Sequence, residues 1–318
     1  TVSFTDYLNA NYYLNEGLIR INPVKDTSGR KPRDWMMQFL DVIGHPERSF
    51  PAIHIAGTSG KGSIALFIAE ILRCHGLKVG LHISPYLQAS TEKLWFNGRY
   101  ASSRDFAELV EWIRPYADRW KGGQSPIHGM AWVAITLEFF RRKQVDIAVI
   151  EAGVGGKNDL TNVLNTITAV VGKLGLDHTK TLGGTLEEIA AHKLGIARRG
   201  IPLVVLENEV MDLVHSEAQR SGAILEVVKE GETYRRYSDD PQDNRFSYHG
   251  SLELDHLFPG MPGHFQTVNA ALAVSAVDQA MGMMGMKPNE VAIRAGLERS
   301  RMPARIEVVK RRPRVILD

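Results

Sequence analysis

Short runs of apolar residues without polar alternation recur along the chain, and segments with the periodicity of an amphipathic helix separate them. The apolar runs predict strands at Ala52–Ala56, Lys78–His82, Asp146–Glu151, Ile167–Gly172 and Pro202–Leu206. The helical periods predict helices at Ser63–His75, Arg104–Trp120, Met130–Arg142 and Leu186–Arg198. Such an alternation is typical of a mostly parallel sheet with helices on both faces. We therefore expect an α/β fold, with ligands at the carboxyl ends of the strands.

Residues 226–256 depart from this pattern because they are polar and rich in Asp, Arg, Tyr and Ser. We expect short antiparallel strands there, as a small excursion from the main sheet. Helical spacing returns at Gln266–Met281 and Asn289–Arg299. Pro303 is expected to begin a linker, and Arg314–Asp318 to form the first strand of a further domain. The predicted organisation is one domain over residues 1–302 and, over 303–318, a linker and the start of a second domain.

The charge and cysteine content narrow the possible partners. With 38 basic and 36 acidic residues, the formal net charge is +2, too small to attract a polyanion by bulk charge. A single cysteine, Cys74, excludes an internal disulfide and a thiolate zinc site. No apolar run reaches membrane-spanning length, and no signal-peptide pattern begins at Thr1. We expect a cytoplasmic monomer without a nucleic-acid or membrane partner.

The segment Ile53–Ser63 is the most informative, because an apolar run leads into a glycine-rich turn and then into a helical segment. Glycines let backbone N–H groups close on phosphate oxygens, and a helix N-terminus, a lysine and a hydroxyl complete such a site. The formula G-x-x-x-x-G-K-[ST] does not fit, because Ile55 stands at its first glycine and Gly62 separates Lys61 from Ser63. An ordinary turn that contains three glycines remains the alternative. We expect a P-loop-type phosphate site made of Gly57, Thr58, Ser59, Gly60, Lys61, Gly62 and Ser63.

Further polar side chains stand at or after predicted strand ends. Ser84 follows the second predicted strand, Glu151 closes the third, and His178 comes after the fourth. A carboxylate at the functional end of a strand is a candidate metal ligand, whereas a lone histidine fits a surface or core position equally well. Lys193 lies on a helix that Thr185 and Glu188 begin as a capping box. By position alone, we would expect this lysine to face solvent.

These motifs together resemble a known family. The run from Gly57 to Ser63 resembles the nucleotide loop of the Mur ligase superfamily, and His54–Thr58 is most similar to its folylpolyglutamate synthase/dihydrofolate synthase branch. Further segments that match this branch in order are Ser84–Leu87, Glu151–Asn162, Gly175–Thr179, Thr185–Gly195, Gln266–Ala270, Arg305 and Val315–Asp318. Members of the branch continue with a second α/β domain. The resemblance therefore implies that this sequence ends at a domain boundary.

The resemblance implies ATP and one or two Mg²⁺ ions as cofactors. The metal ligands it implies are Ser63, Ser84, Glu151, His178 and Lys193, the last in a carbamylated form. Beyond the loop, it implies that Gln266 and Asn269 face the adenine, Arg305 reaches the phosphates and Asp318 binds the ribose. The residues it implies in catalysis are Lys61, His178, Lys193 and Arg305. Without the resemblance, ordinary helix-start and linker positions explain Gln266, Asn269 and Arg305 as well.

The implied function is an ADP-forming ligase that joins a small carboxylic acid to an amino acid, such as glutamate, through an acyl phosphate. Its full activity is expected to need a C-terminal domain beyond Asp318. Five residues depart from the family on the side that the resemblance assigns to the acid: Tyr86, Ala89, Gly129, Met130 and Val133. These departures leave a folate-type acid and a different carboxylic acid both open.

Two functions from other classes also remain open. A non-catalytic nucleotide-binding subunit fits the altered acid positions, although such a subunit has no need of the metal ligands. A GTPase switch would require an Asn-Lys-x-Asp guanine signature, which the sequence lacks.

Overall fold

A computed structural model describes residues 4–18, 29–121, 125–238, 240 and 243–318. The α-helices are α1 (Phe4–Tyr12), α2 (Pro32–Ile43), α3 (Lys61–Cys74), α4 (Ser103–Asp118), α5 (Ile127–Lys143), α6 (Thr179–Leu182), α7 (Leu186–Leu194), α8 (Met211–Ser221), α9 (His264–Met283) and α10 (Glu290–Arg299). The strands are β1 (Ala52–Ala56), β2 (Val79–His82), β3 (Trp95–Phe96), β4 (Arg99–Tyr100), β5 (Ile147–Glu151), β6 (Thr166–Val171), β7 (Pro202–Leu206), β8 (Ile224–Val228), β9 (Tyr234–Arg236), β10 (Phe246–His249), β11 (Glu253–Leu257), β12 (Glu307–Arg311) and β13 (Arg314–Leu317). A π-helix at Tyr13–Gly17 and 3₁₀ turns at Pro46–Ser49 and Ser90–Lys93 complete the regular structure. The predicted α/β fold class is confirmed.

The chain divides into two compact units, of which the first comprises residues 1–52 and 78–165. Its strands are ordered β4-β3-β2-β5, with β2 parallel to β5 and antiparallel to β3. Helix α5 packs against α2 and α4, and its buried face supplies much of the apolar core. The parallel register pairs His82 with Ile150, so the carboxyl ends of β2 and β5 meet at one edge. That edge places the segments around Ser84 and Glu151 side by side.

The second unit comprises residues 53–77 and 166–318. Its strands are ordered β1-β6-β7-β8, and β6, β7 and β8 run parallel. Helices α9 and α10 pack against α3, the helix that follows the glycine-rich turn. A capping box of Thr185 and Glu188 begins α7 as predicted. The turn after β1, the segment after β6 and the starts of α7 and α9 therefore belong to one compact body.

Two small antiparallel sheets complete the second unit. The first contains β9, β10 and β11, which confirms the expected excursion, although Glu226–Val228 belongs to the parallel strand β8 instead. The second is the hairpin of β12 and β13. The strand predicted at Arg314–Asp318 is thus present as β13, but its antiparallel partner β12 lies in the segment predicted as a linker. The division into domains 1–302 and 303–318 remains a prediction.

Most of the predicted elements form. All five predicted strands are present, and β1 and β7 have the predicted bounds. The helix predicted at Leu186–Arg198 begins as predicted, but α7 ends four residues earlier, at Leu194. No element was predicted over helices α1, α2, α6 and α8 or over strands β3, β4 and β12. Only the last three residues of β8 fell within a segment predicted to form strands. None of the helices in the described ranges is long and apolar enough to span a bilayer.

Candidate functional site

The turn between β1 and α3 has a backbone that only glycine adopts easily. Gly57 has a φ of 152° and Gly60, the N-cap of α3, a φ of 80°. A Cβ at Gly60 would lie 2.5 Å from Asn269 Oδ1, and one at Gly57 would lie 3.3 Å from the backbone nitrogen of Gly172. At both positions, a positive φ angle and a close neighbour together disfavour any residue that has a Cβ atom.

Thr58 ties this turn to the segment that follows β6. Its backbone N–H donates to the carbonyl of Lys173 at 2.8 Å. Its hydroxyl donates to the carbonyl of Gly175 at 2.9 Å and accepts from the N–H of Gly175 at 3.1 Å. The hydroxyl expected at the phosphate site thus bonds to the backbone of Gly175 here. Thr58 therefore fixes the turn to the segment that follows β6.

Two lysines converge on the carbonyl oxygen of Gly57. Lys61 Nζ lies 3.2 Å from this oxygen and Lys193 Nζ lies 2.8 Å from it. Lys61 is the first residue of α3 and is half-buried. Lys193 is 1% exposed, contrary to the position-based expectation that it faces solvent.

The surroundings of Lys193 change its protonation. Burial, with a further contribution from the charge of Lys61, lowers the pKa of Lys193 to about 8, while Asp177 opposes the shift. A buried amine with this pKa is more often neutral than an ordinary lysine near neutral pH, which makes it a better nucleophile.

Polar side chains at the start of α9 reach the loop from a second direction. Gln266 Nε2 donates to Ser63 Oγ at 3.3 Å, and Asn269 Nδ2 donates to Gln266 Oε1 at 3.0 Å. All three side chains are buried. The structure therefore brings Gln266 and Asn269 to the start of α3, beside the glycine-rich turn. Ser59 is exposed and Gly62 lies in the first turn of α3, where N–H groups have no partner within the helix.

In the first unit, Ser84 and Glu151 lie together at the ends of β2 and β5. Glu151 is the last residue of β5 and is 6% exposed. The N–H of Ser84 donates to Glu151 Oε2 at 3.1 Å. Their carboxylate and hydroxyl oxygens are the donors that Mg²⁺ prefers. In the described part of the chain, no group of three or more His, Cys, Asp or Glu residues could hold a metal ion.

Three further candidates lie at exposed positions of the second unit. His178 is the N-cap of α6, with a φ of 47° and its Nε2 3.6 Å from Asp177 Oδ1. Arg305 is exposed in the segment before β12. Asp318 is also exposed, and its Oδ1 accepts from the N–H of Ile306 at 3.2 Å. The described contact of Asp318 thus lies within the hairpin, whereas the loop, Lys193, Gln266 and Asn269 form one contiguous group.

The residues that depart from the family on the acid side have different environments. Met130 and Val133 on α5 are buried in the apolar core of the first unit. Gly129 lies beside Leu160, whose Cδ1 would be 2.6 Å from an added Cβ. Tyr86 and Ala89 are half-buried in the segment after Ser84. Two of the five positions therefore contribute packing in this structure.

The chain is similar to known ligases over almost its whole length. A dihydrofolate synthase/folylpolyglutamate synthase of Bacillus subtilis (strain 168) is 32% identical over 321 residues, which cover 99% of this chain and 73% of the relative. The solved FPGS–AMPPCP–folate complex has a TM-score of 0.87 and 27% identity, and the match covers 98% of this chain and 76% of that one. A bifunctional folylpolyglutamate synthase/dihydrofolate synthase with Mn, AMPPNP and L-glutamate bound has a TM-score of 0.75 and 25% identity, over 91% of this chain and 67% of that one.

No protein-family model matches the chain. The similarity to the Bacillus subtilis enzyme nevertheless confirms the resemblance seen in the motifs, since it covers 99% of this chain. The chain therefore belongs to the folylpolyglutamate synthase/dihydrofolate synthase family of ATP-dependent ligases, in the Mur ligase superfamily.

Proposed function

We propose that this chain binds ATP and Mg²⁺ for a ligase that transfers the γ-phosphoryl group to a carboxylic acid, and that the acyl phosphate then reacts with an amino acid to give an amide. The observation that carries the proposal is the convergence of Lys61 and Lys193 on the Gly57 carbonyl, at a turn held open by glycines. Lys61 places a positive charge beside the N-terminus of α3, where phosphate oxygens are stabilised.

The nucleotide contacts follow from this geometry. The N–H groups of the first turn of α3 bind phosphate oxygens, and Lys61 exchanges the carbonyl of Gly57 for the β- and γ-phosphates. Gln266 and Asn269 hold Ser63 in place and contribute to the adenine side. Arg305 and Asp318 are proposed to reach the phosphates and the ribose. ATP is preferred over GTP, because an amide such as that of Asn269 suits adenine and no guanine-binding motif is present.

The residues present fit Mg²⁺. Ser84 and Glu151 in the first unit offer oxygen donors, as does Ser63 in the second, and the resemblance adds His178 as a proposed ligand. Mg²⁺ retains waters and takes phosphate oxygens, so it does not need a dense protein cluster. The ion supplies charge neutralisation for the phosphoryl group.

Lys193 is proposed to join the metal ligands after carbamylation. A neutral amine attacks CO₂, forms an N–C bond and releases one proton, and the depressed pKa of Lys193, about 8, favours this reaction. A carbamate keeps one N–H, which can still donate to the carbonyl of Gly57, while its two oxygens become available to a cation. The buried position and the 2.8 Å contact are therefore compatible with both forms.

The chemical steps balance without a further reagent. A carboxylate oxygen of the acid attacks the γ-phosphorus of ATP, ADP leaves, and an acyl phosphate forms. The amine of the amino acid then attacks the acyl carbon and loses a proton, and inorganic phosphate leaves. Lys61 and Arg305 spread positive charge over the phosphoryl group during the transfer. L-Glutamate is the proposed amino acid, since a solved relative holds it.

A specific observation favours an acid other than dihydropteroate. Met130 and Val133 are buried in the core, and Gly129 offers no side chain, so these positions supply no polar partner to a pterin ring. A ring whose polar atoms are buried without partners binds weakly.

The test is ADP release from MgATP by the full-length protein in a screen of carboxylic acids with L-glutamate and other amino acids, with dihydropteroate and folates included. We expect ADP release to require an acid and an amino acid together, and dihydropteroate to be a poor substrate. ADP release that depends on neither the acid nor the amino acid would contradict the ligase assignment. Efficient turnover of dihydropteroate would contradict only the inference that the enzyme uses a different acid.

A further inference from the structure

The ammonium group of Lys93 lies between two aromatic rings in the first unit. Its Nζ is 4.3 Å from the ring centroid of Trp132 and 5.5 Å from that of Tyr86. Lys93 ends the 3₁₀ turn Ser90–Lys93, and its side chain is half-buried. Aromatic faces attract a cation, but they do not neutralise its charge.

Lys93 has no carboxylate partner among the described residues of the chain. The nearest acidic residue in sequence, Glu92, instead accepts hydrogen bonds from the N–H groups of Leu87, Gln88 and Ala89. Lys143 provides a contrast, because its Nζ also lies over a ring, 5.3 Å from that of Phe139, but it pairs with Asp105 Oδ1 at 2.9 Å. Lys93 therefore keeps an uncompensated positive charge in a partly desolvated position.

Hydrogen bonds fix the polar groups around Lys93. Trp132 Nε1 donates to Asn15 Oδ1 at 3.1 Å, and His128 Nε2 lies 3.3 Å from the same oxygen. Asn15 Nδ2 in turn donates to Ser90 Oγ at 3.2 Å. The ring of Trp132 is thereby held in one orientation, so the surface against which Lys93 lies is preorganised.

The imidazoles of His82 and His128, which lie near Lys93, supply no negative charge to balance its ammonium group. Burial, and then the charge of Lys93, lowers the pKa of His128. His82 Nδ1 also lies 3.1 Å from both the carbonyl of Lys93 and the hydroxyl of Thr136. Burial lowers the pKa of Lys93 itself, and no carboxylate among the described residues opposes that shift.

We propose that Lys93 binds a carboxylate of the acid substrate, with Tyr86 and Trp132 holding its ammonium group in place. The inference rests on the proposed ligase function and names a specificity-determining residue for it. Tyr86 is two residues from Ser84, whose N–H bonds to Glu151, so Lys93 lies in the same short segment of the first unit as one of the proposed metal ligands. A carboxylate also supplies the counter-charge that the chain itself does not provide.

The test compares benzoate with benzamide, which has nearly the same shape but no charge. Each probe is titrated into the whole protein while the indole N–H resonance of Trp132, assigned with a Trp132→Phe variant, is followed by NMR. We expect benzoate to shift this resonance saturably and to bind about tenfold or more tightly than benzamide, as a hydrogen bond to a charged group predicts. Lys93→Met should abolish the preference, Lys93→Arg should retain it, and Lys143→Met is the matched control that should leave it unchanged.

Equal affinity for the two probes, no saturable benzoate binding, or an unchanged preference in Lys93→Met would each overturn the proposal. AMPPCP affinity, measured on the same samples, separates this outcome from a failure of the ligase assignment. A protein that binds AMPPCP but does not discriminate between the probes contradicts only the role of Lys93.

Discussion

Lys193 Nζ donates a hydrogen bond of 2.8 Å to the carbonyl oxygen of Gly57, and thereby links the buried end of α7 to the first residue after β1. Lys61 approaches the same oxygen from the other side of the turn, at 3.2 Å. A single carbonyl cannot hold two ammonium groups as well as it holds one. In the proposed account, arrival of a phosphate releases Lys61, while Lys193 continues to hold the turn.

Replacing Lys61 should therefore weaken nucleotide binding without unfolding the protein. Lys61→Ala removes a charged donor to the phosphates, and we expect AMPPCP affinity in Mg²⁺ to fall by about tenfold to a hundredfold. Isothermal titration calorimetry measures this loss. Lys287, an exposed lysine between α9 and α10, provides the control, and Lys287→Ala should bind as the wild type does. An unchanged affinity in Lys61→Ala would mean that the loop is not the phosphate site.

A methyl group at Gly60 should damage the site beyond its cost to the backbone. Gly60 and Gly76 lie at opposite ends of α3 with similar φ angles, 80° and 86°. An added Cβ meets Asn269 Oδ1 at 2.5 Å in Gly60→Ala but nothing within 4 Å in Gly76→Ala.

We expect each of these variants to lose about 1–2 kcal/mol of unfolding free energy through the left-handed conformation. Only Gly60→Ala should also lose AMPPCP affinity. Urea unfolding and calorimetry provide the two readings. Equal nucleotide affinity in the two variants would show that the contact between Gly60 and Asn269 does not matter for the site.

The acidic residue at the end of β5 should be needed for turnover. Glu151→Gln keeps the shape of the side chain but removes the negative charge that a Mg²⁺ ion needs, and we expect ADP release to fall about a hundredfold or more. Glu70 is a buried glutamate of α3 that pairs with Arg73 at 2.7 Å, away from the proposed chemistry. Glu70→Gln should therefore release ADP at the wild-type rate. A fully active Glu151→Gln enzyme would remove this residue from the metal set.

The strand that leads into the loop should make the protein sensitive to acid. His54 in β1 is fully buried, and burial followed by the charge of Arg198 lowers its pKa to about 3 from the usual value near 6.5. Between these values the unfolded chain binds a proton that the folded chain does not, so the unfolding free energy falls as pH is lowered through this range. One proton corresponds to about 1.4 kcal/mol per pH unit.

Urea unfolding of wild type and His54→Gln between pH 6 and pH 4 isolates this contribution from that of His82. The slope of unfolding free energy against pH should be smaller in His54→Gln by about one proton. His215, exposed on α8, is the control, and His215→Gln should keep the wild-type slope. Parallel slopes in wild type and His54→Gln would contradict the assignment.

The sequence predicts the buried parallel strands well because continuous apolar runs leave few alternatives; β1 and β7 match their predicted bounds. It predicts surface elements poorly. Helix α8 buries only Val214 and Ala218, so its apolar stripe is too narrow to detect. Strand β8 is mostly half-exposed, and its second half therefore resembles the polar excursion that follows it.

The candidate site shows the same division. Glycine, lysine and serine in the loop carry a signal in their residue types. The carbonyl of Gly57 carries none, because every residue has a carbonyl. The burial of Lys193 depends on how α7 packs, and a helical lysine without tertiary information is expected to face solvent. Tertiary packing also decided that Met130 and Val133 belong to the core.

The central claim is that the acid's own carboxylate oxygen attacks the γ-phosphorus of ATP. The most direct measurement uses the acid that supports ADP release, labelled with ¹⁸O in both oxygens of its carboxylate, and analyses the released inorganic phosphate by mass spectrometry. The account predicts one ¹⁸O atom in each phosphate, because the acyl phosphate breaks at the acyl carbon and leaves that oxygen on phosphorus. Unlabelled phosphate, released at the rate of amide formation, would contradict the claim.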